Sequence, residues 1–158
     1  MIPEPAYDAG MTKQVDHRMS NAETVRMYWQ VCWNERRVDR LADVFHAEYL
    51  HGRRSSSPEG HAAIIEETVR SFPDLQVHID DLEDLGDTII TRTRFVVTHG
   101  GEIFGLRATG RSIEGPSLDV YFFDRGRVRR LWHLFDHLPL IVAIGAEVRV
   151  GGELAQFD

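Results

Sequence analysis

The sequence predicts an α+β domain, in which about three N-terminal helices pack against a curved antiparallel sheet that encloses an apolar cone. Three observations predict it. Apolar residues recur at helical spacing before Pro73, they alternate with polar ones after it, and Gly-containing turn signals separate the alternating stretches.

Taken in order, residues 1–19 mix Pro, Gly and charge without a period and read as a flexible arm. Structure begins at "SNAE", a capping box in which Ser20 and Glu23 satisfy each other's backbone amides. Val25, Tyr28, Trp29, Cys32 and Trp33 then form one apolar helical stripe. A second short helix is expected from Asp39 to His46, burying Leu41, Val44 and Phe45. "RRSSSPEG" is a loop whose Pro58 suits the first turn of a third helix, which would bury Ile64, Ile65 and Phe72.

"LQVHID" alternates Leu75, Val77 and Ile79 with polar partners, and "TIITRTRFVVT" is a long β-branched strand. Which set of its residues, Thr91 and Thr93 or Arg92 and Arg94, faces inward stays open. "GEIFGLRATGRSI" returns from the turn signal "HGG", with Gly105 and Gly110 marking a bend near the mouth of the cone. "LDVYFF" and "VRRLWHLF" flank "DRGR" as a hairpin. The domain runs over residues 20–146, and 147–158 form a tail.

The bulk numbers exclude several function classes. Length of 158 residues, 42% hydrophobic and 27% charged content suit one globular domain. A net charge of −7 argues against a nucleic-acid surface. No apolar run approaches the roughly 20 residues that span a bilayer, and the N-terminus lacks signal-peptide character, so no membrane partner and a cytoplasmic address are expected. Cys32, the single cysteine, reads as a packed thiol. The eight histidines lack metal-site spacing, and neither a phosphate loop nor a dinucleotide fingerprint occurs. No metal is expected.

The hairpin carries the chemistry. A three-residue loop of Asp124, Arg125 and Gly126 pairs Phe123 with Arg127 and makes His133 the diagonal neighbour of Asp119. A two-residue loop shifts the register by one and separates them. In the three-residue register one face carries Asp119, Tyr121, Phe123, Arg129, Leu131 and His133, a candidate pocket wall. The other carries Leu118, Val120, Phe122, Val128, Arg130 and Trp132. Imidazole suits proton abstraction beside a carbonyl, with a carboxylate orienting it. In the opposite division Asp119 is the base and His133 donates to the oxyanion. The residues alone do not choose, and a surface ion pair is the plain alternative.

Several stretches together resemble the SnoaL-like polyketide cyclases. These are "VCWNERRVDRLADVFHAEYLHG", "FPDLQVHIDDLEDLGDTIITRTRFVVTHGGEIFG", "ATGRSI" and "DRGRVRRLWHLFDHLPLIVAIG", from about residue 20 to 146. The resemblance implies the cone fold shared with nuclear transport factor two and ketosteroid isomerase. It implies intramolecular aldol ring closure of a hydrophobic polyketide-like substrate, with neither metal nor cofactor, and a homodimer or higher homo-oligomer. Aligned through Gly126, His133 takes the position of the family's acid/base Asp, and Asp119 that of its His, so the pair is exchanged. His133 and Asp119 are therefore the candidate catalytic residues.

The same resemblance makes Tyr49, His51 and His99 candidates for substrate contact, with core packing for Tyr49 and a turn role for His99 as alternatives. Trp33 is either a stacking surface or core. Asp136 either caps the closing helical turn or reaches the site. Alternative activities on this fold are a dehydratase, an epoxide hydrolase, a ring-hydroxylation component and a non-catalytic binding module.

Overall fold

The computed structural model describes residues 19–147 and the backbone of 149–150 and 153–154. All but the last residue of the expected N-terminal arm, and much of the tail, lie outside the described residues. The first helix, α1 (Asn21–Met27), starts from the capping box: Ser20 Oγ accepts from the Glu23 amide at 3.2 Å, and the Glu23 carboxylate accepts from the Ser20 amide at 2.7 Å. The chain then widens into a π-helix, Tyr28–Asn34. Val25, Tyr28, Trp29, Cys32 and Trp33 are all buried, so the apolar stripe holds although its winding changes. Asn34 ends the segment by acting as a piece of sheet. Its side-chain amide donates to Val77 O at 2.9 Å and accepts from Val77 N at 2.8 Å.

A 3₁₀ turn (Val38–Arg40) leads into α2 (Leu41–Val44), followed by β1 (Phe45–His51) and β2 (Arg54–Ser56). The expected second helix is thus shorter. Leu41, Val44 and Phe45 are fully buried, but Phe45 is already extended, at φ −107° and ψ 151°. Helix α3 (Pro58–Ser71) is capped by Ser57, with Pro58 in its first turn. It buries Ile65 and ends at buried Phe72, whereas Ile64 keeps 41% of its exposure at the mouth of a cavity.

Strands β3 (Gln76–Asp84), β4 (Thr88–Thr98), β5 (Ser112–Asp124) and β6 (Arg127–Phe135) complete a sheet of order β2-β1-β6-β5-β4-β3. All neighbours pair antiparallel except β1 and β6. That parallel pair arises because the chain leaves β1 and β2, crosses by α3 to the far edge, and winds back strand by strand. Thr91 and Thr93 point into the core, while Arg92 and Arg94 meet Asp80, Asp81 and Glu114 outside. Residues 101–111 form a loop with one bridge, Ile103 to Leu106, and β5 begins only at Ser112. A Cβ on Gly101 would lie 2.1 Å from Arg70 O, so only glycine lets this loop lie on the end of α3. Helix α4 (His137–Ala143) follows β6, and β7 (Arg149–Val150) pairs with β8 (Glu153–Leu154). No helix among the described residues is long and apolar enough to cross a membrane.

The β5–β6 hairpin corrects the expected register. Arg125 and Gly126 form a two-residue turn, both left-handed at φ 49° and 77°, and Asp124 pairs with Arg127. Alone, that turn would set Asp119 opposite Trp132. A β-bulge intervenes between the Phe123–Val128 and Phe122–Arg130 pairs, and it takes up Arg129 as the extra residue. Asp119 consequently lies directly opposite His133. The bulge also exchanges two neighbours: Val128 is fully buried, and Arg129, expected on the pocket wall, is exposed.

Candidate active site

The concave face of the sheet, α3, α4 and the π-helix enclose a cavity of about 270 Å³. Trp29, Phe72, Phe95, Ile113, Leu131 and Phe135 supply its apolar walls. Tyr28, His51, His61, His133 and His137 supply polar atoms. A mostly apolar cavity with a few convergent polar groups is what binds a hydrophobic small molecule.

Strand pairing brings Asp119 and His133 together. Asp119 Oδ1 lies 2.6 Å from His133 Nδ1. The aspartate is 0% exposed and sits behind the histidine, whose side chain is 28% exposed and lines the cavity. Ser117, two residues before Asp119 and so on the same face, donates to Asp119 Oδ2 at 3.0 Å. Ser117 Oγ in turn lies 2.5 Å from Thr93 Oγ1, on the neighbouring strand, and accepts its proton. Both carboxylate oxygens are therefore satisfied, as a buried charge requires. With the carboxylate as acceptor, Nδ1 carries the imidazole proton and Nε2 of the neutral ring carries the lone pair.

A second polar cluster has no counterpart in the sequence reading. His61, 1% exposed on α3, has the Tyr28 hydroxyl 2.9 Å from Nε2 and the Tyr49 hydroxyl 2.5 Å from Nδ1. Burial, followed by the fields of His51 and His133, holds His61 down to about 3, so the ring is neutral. Burial pushes Tyr49 up to about 12 and Tyr28 well above the usual phenol value. The available signal was helical spacing. His61 stands four residues before Ile65, on the buried stripe of α3. Between the clusters, His51 stacks on His61 at 5.6 Å and meets His133 edge-on at 6.4 Å. Burial, then the His133 charge, lowers the His51 pKa, while Asp119 opposes the shift.

Of the remaining candidates from the sequence, Trp33 and His51 line the cavity beside His133. Tyr121 is fully buried beneath Tyr28, its ring 6.0 Å away and its hydroxyl unpartnered. Tyr49 sits behind His61, and Arg129 lies outside the cavity. His99 is buried at the end of β4, its Nδ1 3.0 Å from Thr109 Oγ1, near Phe72 but away from the cavity wall. Asp136 is the N-cap of α4 and accepts from the Leu138 amide at 3.2 Å. Among the described residues no three or more His, Cys, Asp or Glu side chains converge as a metal would need.

Residues 22–144 match the family model described as SnoaL-like polyketide cyclase. Among solved structures the chain is similar to TsrD from Streptomyces laurentii, at 27% identity over 78% of this chain and 92% of that one, with a TM-score of 0.71. It is also similar to IdmH from Streptomyces antibioticus (21% identity, 81% and 100% covered, TM-score 0.72). A SnoaL-like polyketide cyclase from Agrobacterium tumefaciens shares 19% identity over 80% and 99% of the two chains, with a TM-score of 0.71. At those identities the last two likenesses are of fold. No curated protein sequence matches the chain.

Proposed function

Because the chain belongs to the SnoaL-like polyketide cyclase family, we propose that it is a tailoring enzyme that closes a ring of a hydrophobic polyketide-like substrate by intramolecular aldol chemistry. The observation that carries the reading is the 2.6 Å contact of Asp119 with His133 at the wall of an apolar cavity. His133 Nε2 takes a proton from a carbon beside a substrate carbonyl, and Asp119 stabilises the imidazolium that forms. The enolate carbon attacks a second carbonyl of the same molecule, and one C–C bond forms. The resulting alkoxide takes the proton back from Nε2–H, so the ring closes with no net gain or loss of atoms. Every proton transfer uses a group of this chain. Access supports His133 as the base over Asp119, since the imidazole lines the cavity and the carboxylate stands behind it.

The test uses a phenyl-substituted diketone whose carbonyls are separated by three carbons, so that aldol closure and loss of water give a conjugated cyclohexenone read by its ultraviolet absorption. The protein is expected to accelerate closure, and His133→Ala to abolish the acceleration. Equal rates with and without protein, or undiminished rates in His133→Ala, would contradict the reading. The same proposal includes self-association through the outer face of the sheet. Leu118 faces Leu134 there and Val120 faces Trp132, and Leu118, Trp132 and Leu134 are exposed. Sedimentation is expected to find a dimer that Leu134→Glu converts to monomer. A monomeric parent protein contradicts this part.

A further inference from the structure

We propose that Tyr28 is a second working side chain of the cavity: its hydroxyl donates a hydrogen bond to the substrate oxygen that gains negative charge when His133 removes a proton. The inference rests on the acid/base reading of His133 and adds where the oxygen of the substrate sits. Tyr49 and His61 act as positioning residues behind Tyr28.

The argument follows the protons of the buried cluster. His61 is neutral and holds one N–H, yet both its nitrogens meet a tyrosine hydroxyl. One tyrosine therefore gives it a proton and the other accepts one. The 2.9 Å separation of Tyr28 OH from Nε2 is the usual length of an N–H···O bond, whereas the 2.5 Å contact of Tyr49 OH with Nδ1 has the shorter length of a hydroxyl donor. Tyr49 therefore gives its own proton to Nδ1. The ring proton then stands on Nε2 and is donated to the Tyr28 oxygen. Tyr28 is left with an O–H that no protein group among the described residues accepts, on a side chain that lines the cavity.

Two indoles back the same wall: the ring nitrogens of Trp33 and Trp29 are closed to the cavity and stand near the Tyr28 and Tyr121 oxygens, where an N–H favours charge on oxygen. Tyr28 and both indoles belong to the turn where the helix widens to π winding, and such segments recur at functional sites. His51, stacked on His61 and edge-on to His133, lies between this donor wall and the base. The ligand class that fits is an aromatic or polycyclic frame carrying a carbonyl or phenolic oxygen, with its acidic carbon directed at His133.

The test compares binding of β-naphthol, a phenol resembling an enol, with naphthalene, which lacks the oxygen, by fluorescence titration. The intact protein is expected to prefer β-naphthol by about tenfold or more. Tyr28→Phe should abolish the preference. Tyr49→Phe changes no residue of the cavity wall, but it frees His61 to accept the Tyr28 proton, so it should remove most of the preference. Should Tyr28→Phe fail to fold, Tyr49→Phe carries the test. In a His133→Ala background the preference should survive, which separates this proposal from the one about the base. A preference that persists in the tyrosine variants, that is absent from the intact protein, or that disappears with His133 alone overturns the proposal.

Discussion

At Asp119 a carboxylate is cut off from water, where an isolated charge would cost of order several kcal/mol. The Ser117 hydroxyl and the His133 Nδ1–H replace the water, and the second of these also fixes which imidazole nitrogen keeps its lone pair. Asp119→Asn tests that role directly. The asparagine amide donates to Nδ1, so Nε2 acquires the proton and ceases to be a base. Nitrogen NMR of His133 should show the tautomer exchanged, and activity on the diketone should fall by about 10²–10⁴-fold. At His61 the linkage runs through pH. Its folded pKa lies below the unfolded one, so the unfolded chain binds the extra proton between about 6.5 and 3 and stability falls as pH drops through that window. Melting experiments should show a loss of up to about 1.4 kcal/mol per pH unit from this residue. His61→Gln, which keeps a donor and an acceptor without titrating, should flatten the slope. An unchanged slope would refute the assignment. Residue identities such as Asp119 and His133 are legible from alternation and chemistry. His61 escaped because its helical spacing marks only burial until its partners, Tyr28 and Tyr49, arrive from other elements.

At the scale of elements, what joins Asp119 to His133 is a tight turn plus an irregularity. Alternation in "TIITRTRFVVT" and "LDVYFF" is local, so those strands are legible from their own residues. Register is not, because Arg129 has nothing in its side chain that marks it as the bulge. The same-face reading of Asp119 and His133 survives only since the shorter turn and the extra residue offset each other. The π winding is equally silent in the sequence, as Tyr28, Trp29, Cys32 and Trp33 satisfy a 3.6-residue stripe as well. Its anchor is testable. Asn34→Ala leaves the backbone N–H and C=O of Val77 without their partners, and unfolding should show a loss of about 2 kcal/mol. A loss below about 0.5 kcal/mol would mean that water replaces the side chain.

At the scale of the whole molecule, the sheet, α3, α4 and the π-helix each contribute one side of a cavity that opens at Ile64 and Phe104. The change from helical to alternating periods near Pro73 made the architecture legible, since segregated periods leave few ways to bury both apolar faces, although β1 and β2 precede α3. The parallel pairing of β1 with β6 was not legible, because it depends on where the last strand lands and on no residue in either. That pairing places His51 next to Leu131, two residues from His133, and so completes the polar end of the cavity. The fold thus places the His133 imidazole at the wall of an apolar chamber, backed by the buried Asp119 carboxylate, and the proposed reaction makes that imidazole the base. The most direct measurement of that claim is deuterium uptake from heavy water at the acidic carbon of β-tetralone, followed by NMR, which reads proton abstraction without requiring the true substrate. The protein should accelerate uptake at neutral pH, and His133→Ala should return it to the buffer rate. Uptake that proceeds equally fast without His133, or that the intact protein does not accelerate, contradicts the account.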